Sequence, residues 1–259
     1  MYREIAPINE TVWKQIDERA REVLLSTLKT RKVVHVSEEK GSDFVAYNHG
    51  KLGEVTYNDD VNSAAYLVTP LVETRIEFNL NRWELDNAIR GDKNIDFSNL
   101  DKAVKKIALF EEKAVLEGLP AYGIKGLTDE SLATLPFGTD ETSIKKYIAD
   151  GILKLRSAYV NGGMDLLVST NLYTQIMSLP CQTPLKAAIE DMIGGKVYAS
   201  EVLSGAVLVP HDNENLDFVL GEDFSIGYQE HTKKEITLYI KESFTFQILD
   251  ESLIVRYTE

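Results

Sequence analysis

Hydrophobic and polar positions follow several different periods along the 259-residue chain, and each change of period marks a change of element. Trp13, Ile16, Ala20, Val23, Leu24 and Leu28 recur at three- and four-residue steps. This predicts a helix from about Asn9 to Lys29, with Asn9 as its N-cap after Pro7. Turn residues at Asn48-His49-Gly50 and Asn58-Asp59-Asp60 then separate short β-prone pieces. From Val72 the period becomes two: Val72, Thr74, Ile76, Phe78 and Leu80 share one face, and Glu73, Arg75, Glu77 and Asn79 the other. That is the pattern of a half-buried antiparallel strand.

A long helix follows over Leu100 to Glu117, with Leu100, Val104, Ile107, Ala114 and Val115 on its apolar face and Glu111 as the polar exception. Ser98 is expected to cap it, with Asp101 as the capping-box partner, and Gly118 and Pro120 to end it. Between Thr128 and Gly221 the pattern alternates. It predicts helices over Ser143 to Tyr159 and Leu185 to Ile193, and strands over Leu166 to Ser169 and Val202 to Pro210. The chain then returns to strand, with Ile236, Leu238, Ile240, Phe244, Phe246 and Ile248 on even positions and only Glu242 interrupting the apolar face. So long a ribbon needs a partner to cover it. The fold class is α+β, with a compact unit inserted between ribbon-bearing segments.

Composition narrows the chemistry. One cysteine, Cys181, permits no intrachain disulfide, which fits a reducing compartment. The opening Met1 to Pro7 has no apolar run, and no stretch approaches the ~20 apolar residues of a membrane helix, so a cytoplasmic location without a membrane partner is expected. A formal net charge of −13 argues against nucleic-acid binding. The four histidines, His35, His49, His211 and His231, are scattered without metal-ligand spacing. No nucleophile elbow or phosphate loop occurs, and the pairs Glu111-Glu112 and Asp59-Asp60 read better as solvated acids than as acid–base machinery. Neither a catalytic residue nor a metal site is legible, and no cofactor is required.

Several stretches resemble the encapsulin family. They are Trp83-Glu84-Leu85-Asp86-Asn87 with Arg90-Gly91 after it, Gly123-Ile124-Lys125-Gly126-Leu127 as a turn beyond the long helix, Leu220-Gly221, Asp223 and Ser225-Ile226-Gly227-Tyr228 as a late turn, and Phe244-Thr245-Phe246-Gln247 as a terminal strand. Each is short, but four in the same order from Trp83 to Gln247 are specific, and Ala6-Pro7, Trp13 and Arg19-Ala20-Arg21 fit as well. The resemblance implies the fold of tailed-bacteriophage major capsid proteins. Residues 1–47, 76–128 and 222–259 would form a peripheral domain, 48–75 an extended loop and 129–221 an axial domain.

It further implies a shell subunit that assembles with copies of itself into an icosahedral particle and encloses a cargo enzyme. That cargo would be a ferritin-like iron oxidase or a dye-decolorising peroxidase, serving iron storage or defence against oxidative stress. In the family a C-terminal cargo peptide docks on the inner wall. The corresponding candidates are Ile16, Ala20, Val23, Leu24, Leu28 and Arg31, with Ile236, Leu238 and Ile240 opposite; the alternative is that the helix stripe is simply core. Pro180, Cys181, Gln182, Thr183 and Pro184 are the implied pore loop. Trp83 is a candidate for stacking on a flavin, against the alternative of a subunit contact. A phage or prophage capsid protein is the nearest competing reading, and a peptidase or bacteriocin a more distant one.

Overall fold

The computed structural model describes residues 1–180 and 183–259. Asn9 turns its side chain back to accept the Val12 amide at 2.9 Å, which satisfies a donor left open at a helix start, and α1 (Glu10–Thr27) begins there. Next come β1 (His35–Val36) and a projecting ribbon of β2 (Ala46–Leu52), β3 (Thr56–Asn58), β4 (Val61–Ser63) and β5 (Tyr66–Pro70). In the ribbon β2 pairs antiparallel with β5, and β3 with β4. Strand β6 (Val72–Asn81) keeps the predicted alternation, burying Val72, Phe78 and Leu80 while Glu73, Arg75, Glu77 and Asn79 face out. The helices α2 (Arg82–Ile89) and α3 (Ser98–Leu116) follow.

The start of α3 differs from expectation. Ser98 is its first residue rather than its cap, and Asp96 accepts the Ser98 amide at 2.9 Å. A capping box uses a glutamate or glutamine at the third helical position, and Asp101 is one methylene shorter. Asp101 instead receives both arms of Arg19 from α1, at 2.8 and 2.6 Å.

Beyond the short pair β7 (Gly118–Leu119) and β8 (Ile124–Lys125), the chain builds β9 (Thr134–Pro136), α4 (Glu141–Ser157), β10 (Met164–Ser169), α5 (Thr170–Ser178), α6 (Leu185–Ile193), β11 (Val197–Ser200) and β12 (Ala206–Pro210). The long strands β13 (Leu216–His231) and β14 (Glu235–Ile248) and the closing β15 (Val255–Thr258) complete it. One sheet has the order β1-β13-β14-β6, the other β11-β10-β12-β15-β9. Three apolar clusters hold these layers together. One lies between α1, α3 and the first sheet, one wraps the second sheet with α4, α5 and α6, and one joins the two sheets through Val207, Phe218, Phe246 and Ile254.

Three boundaries depart from the sequence reading. The ribbon ends at Pro70, because Val72 to Arg75 ladder onto Lys241 to Phe244 of β14. The segment Ser225 to Tyr228, read as a turn, is part of β13. The last strand, β15, crosses to the second sheet, between β12 and β9, rather than staying with β13 and β14. Among the described residues, no helix is long and apolar enough to cross a membrane.

Helix α4 meets the second sheet at Gly151, where an added Cβ would overlap the hydroxyl of the buried Tyr257. Alanine gains about 1 kcal/mol of helix propensity over glycine, but overpacking a closed core costs about 1–3 kcal/mol. Gly151→Ala should therefore lower the thermal midpoint at matched protein concentration, and Gly151→Val should lower it further. An unchanged midpoint in both would show that Tyr257 gives way cheaply.

Candidate functional site

With 3.6 residues per turn, α1 presents two neighbouring stripes. Val12, Trp13 and Ile16 pack into the first cluster against Phe78, Tyr228, Ile236 and Leu238. The adjacent stripe, Asp17, Arg21, Leu24 and Leu28 at four- and three-residue steps, turns towards β13. There the register of β13 against β14 slips between Leu220 and Glu222 and again between Glu222 and Ser225. Such a bulge re-aims the side chains it carries, here Asp223 and Phe224. Between the helix and the bulge lies a groove of about 770 Å³, whose apolar lining includes Ala20, Leu24, Leu25, Leu28, Phe224 and Ile240. Leu25 remains 59% exposed. A second cleft, of about 680 Å³, lies between α1 and residues 93–98, but Glu18, Glu22, Asp96 and Asp101 make it acidic rather than apolar.

The structure sorts the sequence candidates. Ala20, Leu24, Leu28, Arg31 and Ile240 line the groove. Ile16, Ile236 and Leu238 do not: at most 1% exposed, they lie in the core under α1 and α3. Val23 packs half-buried against that same core. Sequence reasoning missed Leu25, Phe224, Arg21 and Lys32. The doubled Leu24-Leu25, wider than one buried stripe requires, was the available signal for Leu25. Phe224 was hidden in what read as a turn.

One end of the groove rests on an ion cluster. Arg31 forks onto Glu111 of α3 at 2.8 and 2.7 Å, donates to Glu242 of β14 at 2.5 Å and to Asp223 of β13 at 2.9 Å. Its guanidinium also lies 5.1 Å from the Phe218 ring and 5.0 Å from that of Phe224. The two polar exceptions in the apolar patterns, Glu111 and Glu242, thus meet at one cation, and both side chains are fully buried. Burial, reinforced by the Glu111 charge, holds the Glu242 carboxyl well above its ordinary value despite the pull of Arg31. Burial alone would lower the Arg31 pKa, but Glu111, Glu242 and Asp223 together raise it, so it stays charged. Glu112, the next residue, accepts the Lys29 amide and the Thr30 amide and hydroxyl at 2.8, 2.7 and 2.6 Å. Burial raises its pKa in spite of those donors.

The remaining candidates lie elsewhere. Trp83 stands on α2 with its side chain 68% exposed, a position suited to a stacking platform or to a contact with another copy. Pro180, Thr183 and Pro184 are exposed between α5 and α6, while Cys181 and Gln182 lie outside the described residues. The histidines are engaged singly: His35 with Asp212 at 2.8 Å, His49 with Thr69 at 2.8 Å, His211 with Asp165, and His231 with Tyr228 at 2.5 Å. Among the described residues no group of three or more histidine, cysteine or acidic side chains could hold a metal ion.

Comparison with known proteins gives a consistent picture. The profile of the family described as "Encapsulating protein for peroxidase" matches residues 1–245. A type 1 encapsulin shell protein of Mycolicibacterium paratuberculosis is 31% identical over 249 residues, spanning 95% of this chain and 94% of that one. The shell protein of the same description from Rhodococcus erythropolis is 30% identical over 260 residues, spanning 98% of each chain. Among solved structures, the virus-like particle from Pyrococcus furiosus superposes with a TM-score of 0.68 at 12% identity, over 94% of this chain and 98% of that one. The capsid of Myoviridae phage XM1 superposes with a TM-score of 0.59 at 11% identity, over 87% and 89%. At these identities the superpositions establish the fold, that of phage capsid proteins.

The Arg31 cluster makes a paired prediction. Removing one partner of a buried ion pair costs about 3–5 kcal/mol, so Arg31→Leu should abolish or sharply reduce ordered soluble protein. Glu242→Gln keeps the shape of the carboxyl and removes a charge that burial disfavours, so it should cost less than Arg31→Leu. Because its folded pKa is raised, Glu242 contributes stability that is fully present below its ordinary value of 4.5 and is lost as pH rises through the raised value. Thermal midpoints from about pH 5 to about pH 8 should fall less steeply in Glu242→Gln than in the parent. Parallel profiles would show that Glu242 is ionised in the folded chain.

Proposed function

Because the chain belongs to the encapsulin shell-protein family, we propose that it closes into an icosahedral compartment and holds a cargo enzyme inside through a peptide on that enzyme. The subunit is a capsid-like structural protein, and the chemistry is the cargo's. The observation that carries this reading is the ribbon of β2 to β5. Leu52, Tyr57, Val61, Tyr66, Leu67 and Val68 are exposed there, and of residues 46–70 only Thr69 is buried. An apolar ribbon outside every core cluster needs another copy, and closed symmetry supplies one at each position. In this reading the ribbon is the extended loop, the second sheet with its helices is the axial domain, and Pro180, Thr183 and Pro184 line a pore through which small solutes reach the cargo.

The groove between α1 and the β13 bulge is the docking site, facing the lumen. It suits short-peptide recognition, in which apolar pockets take side chains of an extended segment. The family description names a peroxidase as what is encapsulated, which supports a peroxidase cargo over a ferritin-like iron oxidase. A phage capsid reading rests only on superpositions at 11–12% identity, whereas the relatives at 30–31% are described as encapsulin shell proteins.

Expressed alone, the protein should form hollow particles of megadalton mass, and light scattering that finds only monomers or dimers would sink the shell reading. Leu25→Asp and Leu24→Asp test the groove. Leu25 is already solvent-exposed, so a charge there leaves folding untouched while replacing an apolar seat with a carboxylate that must give up water once a peptide covers it; even with Arg21 one turn before it as a partner, the penalty is about 1–3 kcal/mol. Each 1.4 kcal/mol is about tenfold in affinity. Particles should therefore form, yet hold about tenfold less co-expressed cargo by gel densitometry. Full loading in Leu25→Asp would place the docking site elsewhere.

A further inference from the structure

The groove carries a charge signature that deepens the docking reading and rests on it. Arg3, Arg21, Arg31 and Lys32 line it, against Asp17 and Asp223. Two of the four cations are committed. Arg3 is forked onto Asp17 at 2.8 and 2.7 Å, and Arg31 is held by Glu111, Glu242 and Asp223. Arg21 and Lys32 are exposed and have no ion pair among the described residues. The Lys32 ammonium lies 5.7 Å from the Tyr198 ring, and the neighbouring Lys29 adds like charge. In a chain of net charge −13, two uncommitted cations bracket one apolar stripe. Arg21 sits one turn before Leu24 and Leu25, and Lys32 follows Leu28 beyond the end of α1.

We propose that the occupant is an extended peptide of the cargo in which apolar side chains seat against Leu24, Leu25 and Phe224 and a neighbouring aspartate or glutamate pairs with Arg21 or Lys32. From Arg21 to Leu28 a helix rises roughly 10 Å at 1.5 Å per residue. An extended peptide covers that in about three residues at 3.3 Å each. The acidic side chain therefore falls within about three positions of an apolar anchor. Opposite charge at the rim steers the peptide in and excludes wrong partners, while the apolar anchors hold it.

The test varies the peptide on the unaltered shell. A fluorescent reporter is co-expressed with three tails of identical apolar anchors whose flanks are acidic, neutral or basic, and the reporter-to-shell ratio of purified particles is read by gel. The acidic tail should load about three- to tenfold better than the basic one, with the neutral tail between. In a shell carrying Arg21→Glu and Lys32→Glu the order should reverse. Equal loading of all three tails overturns this inference and leaves the groove standing. Best loading of the basic tail overturns it as well. Failure of every tail to load overturns the groove reading and this inference with it. Since the tails are compared on the parent shell, the result holds whether or not the doubly substituted shell assembles.

Discussion

Arg31 leaves the turn after α1, forks onto Glu111 of α3, and reaches Glu242 of β14 and Asp223 of β13. Its partners stand on three elements of the first layer pair, and its own backbone is held by the neighbouring Glu112 through Lys29 and Thr30. Burying such ions costs most of what their attraction returns, so the cluster adds little net stability. Its effect is geometric: Glu111 and Glu242 are buried against the one guanidinium, which fixes the exit of α1 against α3 and the sheet to within hydrogen-bond tolerance. Asp223 is part of that constraint, and it sits where the β13 register slips. The same cation that joins helix and sheet thus holds the bulge whose Phe224 forms one wall of the groove.

This is also where the sequence was most and least informative. Periodicity alone placed α1, β6, α3, α6 and the apolar face of β14, because each of these buries one continuous stripe. It also marked Glu111 and Glu242 as exceptions. That they share a partner was invisible, since Arg31 lies 80 residues from one and 211 from the other. Asp101 was misassigned because a local capping rule competes with a helix–helix ion pair that no local rule describes. The bulge was read as a turn on the family resemblance of residues 220–228, and β15 was not read at all, because four residues carry too little pattern to mark a strand. The groove divides along the same line. Its helical wall was legible as part of one apolar stripe, but only three dimensions separate Leu24 and Leu28 from Ile16, which α1 turns inward.

The body of the subunit and its ribbon are built from different devices. The apolar clusters, one of which joins the two sheets, take in α1, α3 and both sheets, whereas the apolar side chains of the ribbon stay outside them. Folding of the body therefore does not draw on the ribbon, and in the proposed shell the pairing of ribbons between copies would not draw on the groove. A net charge of −13 per copy does not prevent such pairing. Two unit charges 4 Å apart in water repel by only about 1 kcal/mol, and about 10 Å of 0.1 M salt screens the rest. Covering a few hundred Å² of apolar ribbon at about 25 cal/mol per Å² is worth several kcal/mol for each contact. The acidic surface then keeps unassembled copies soluble, and short-range apolar burial rather than long-range charge decides where they meet.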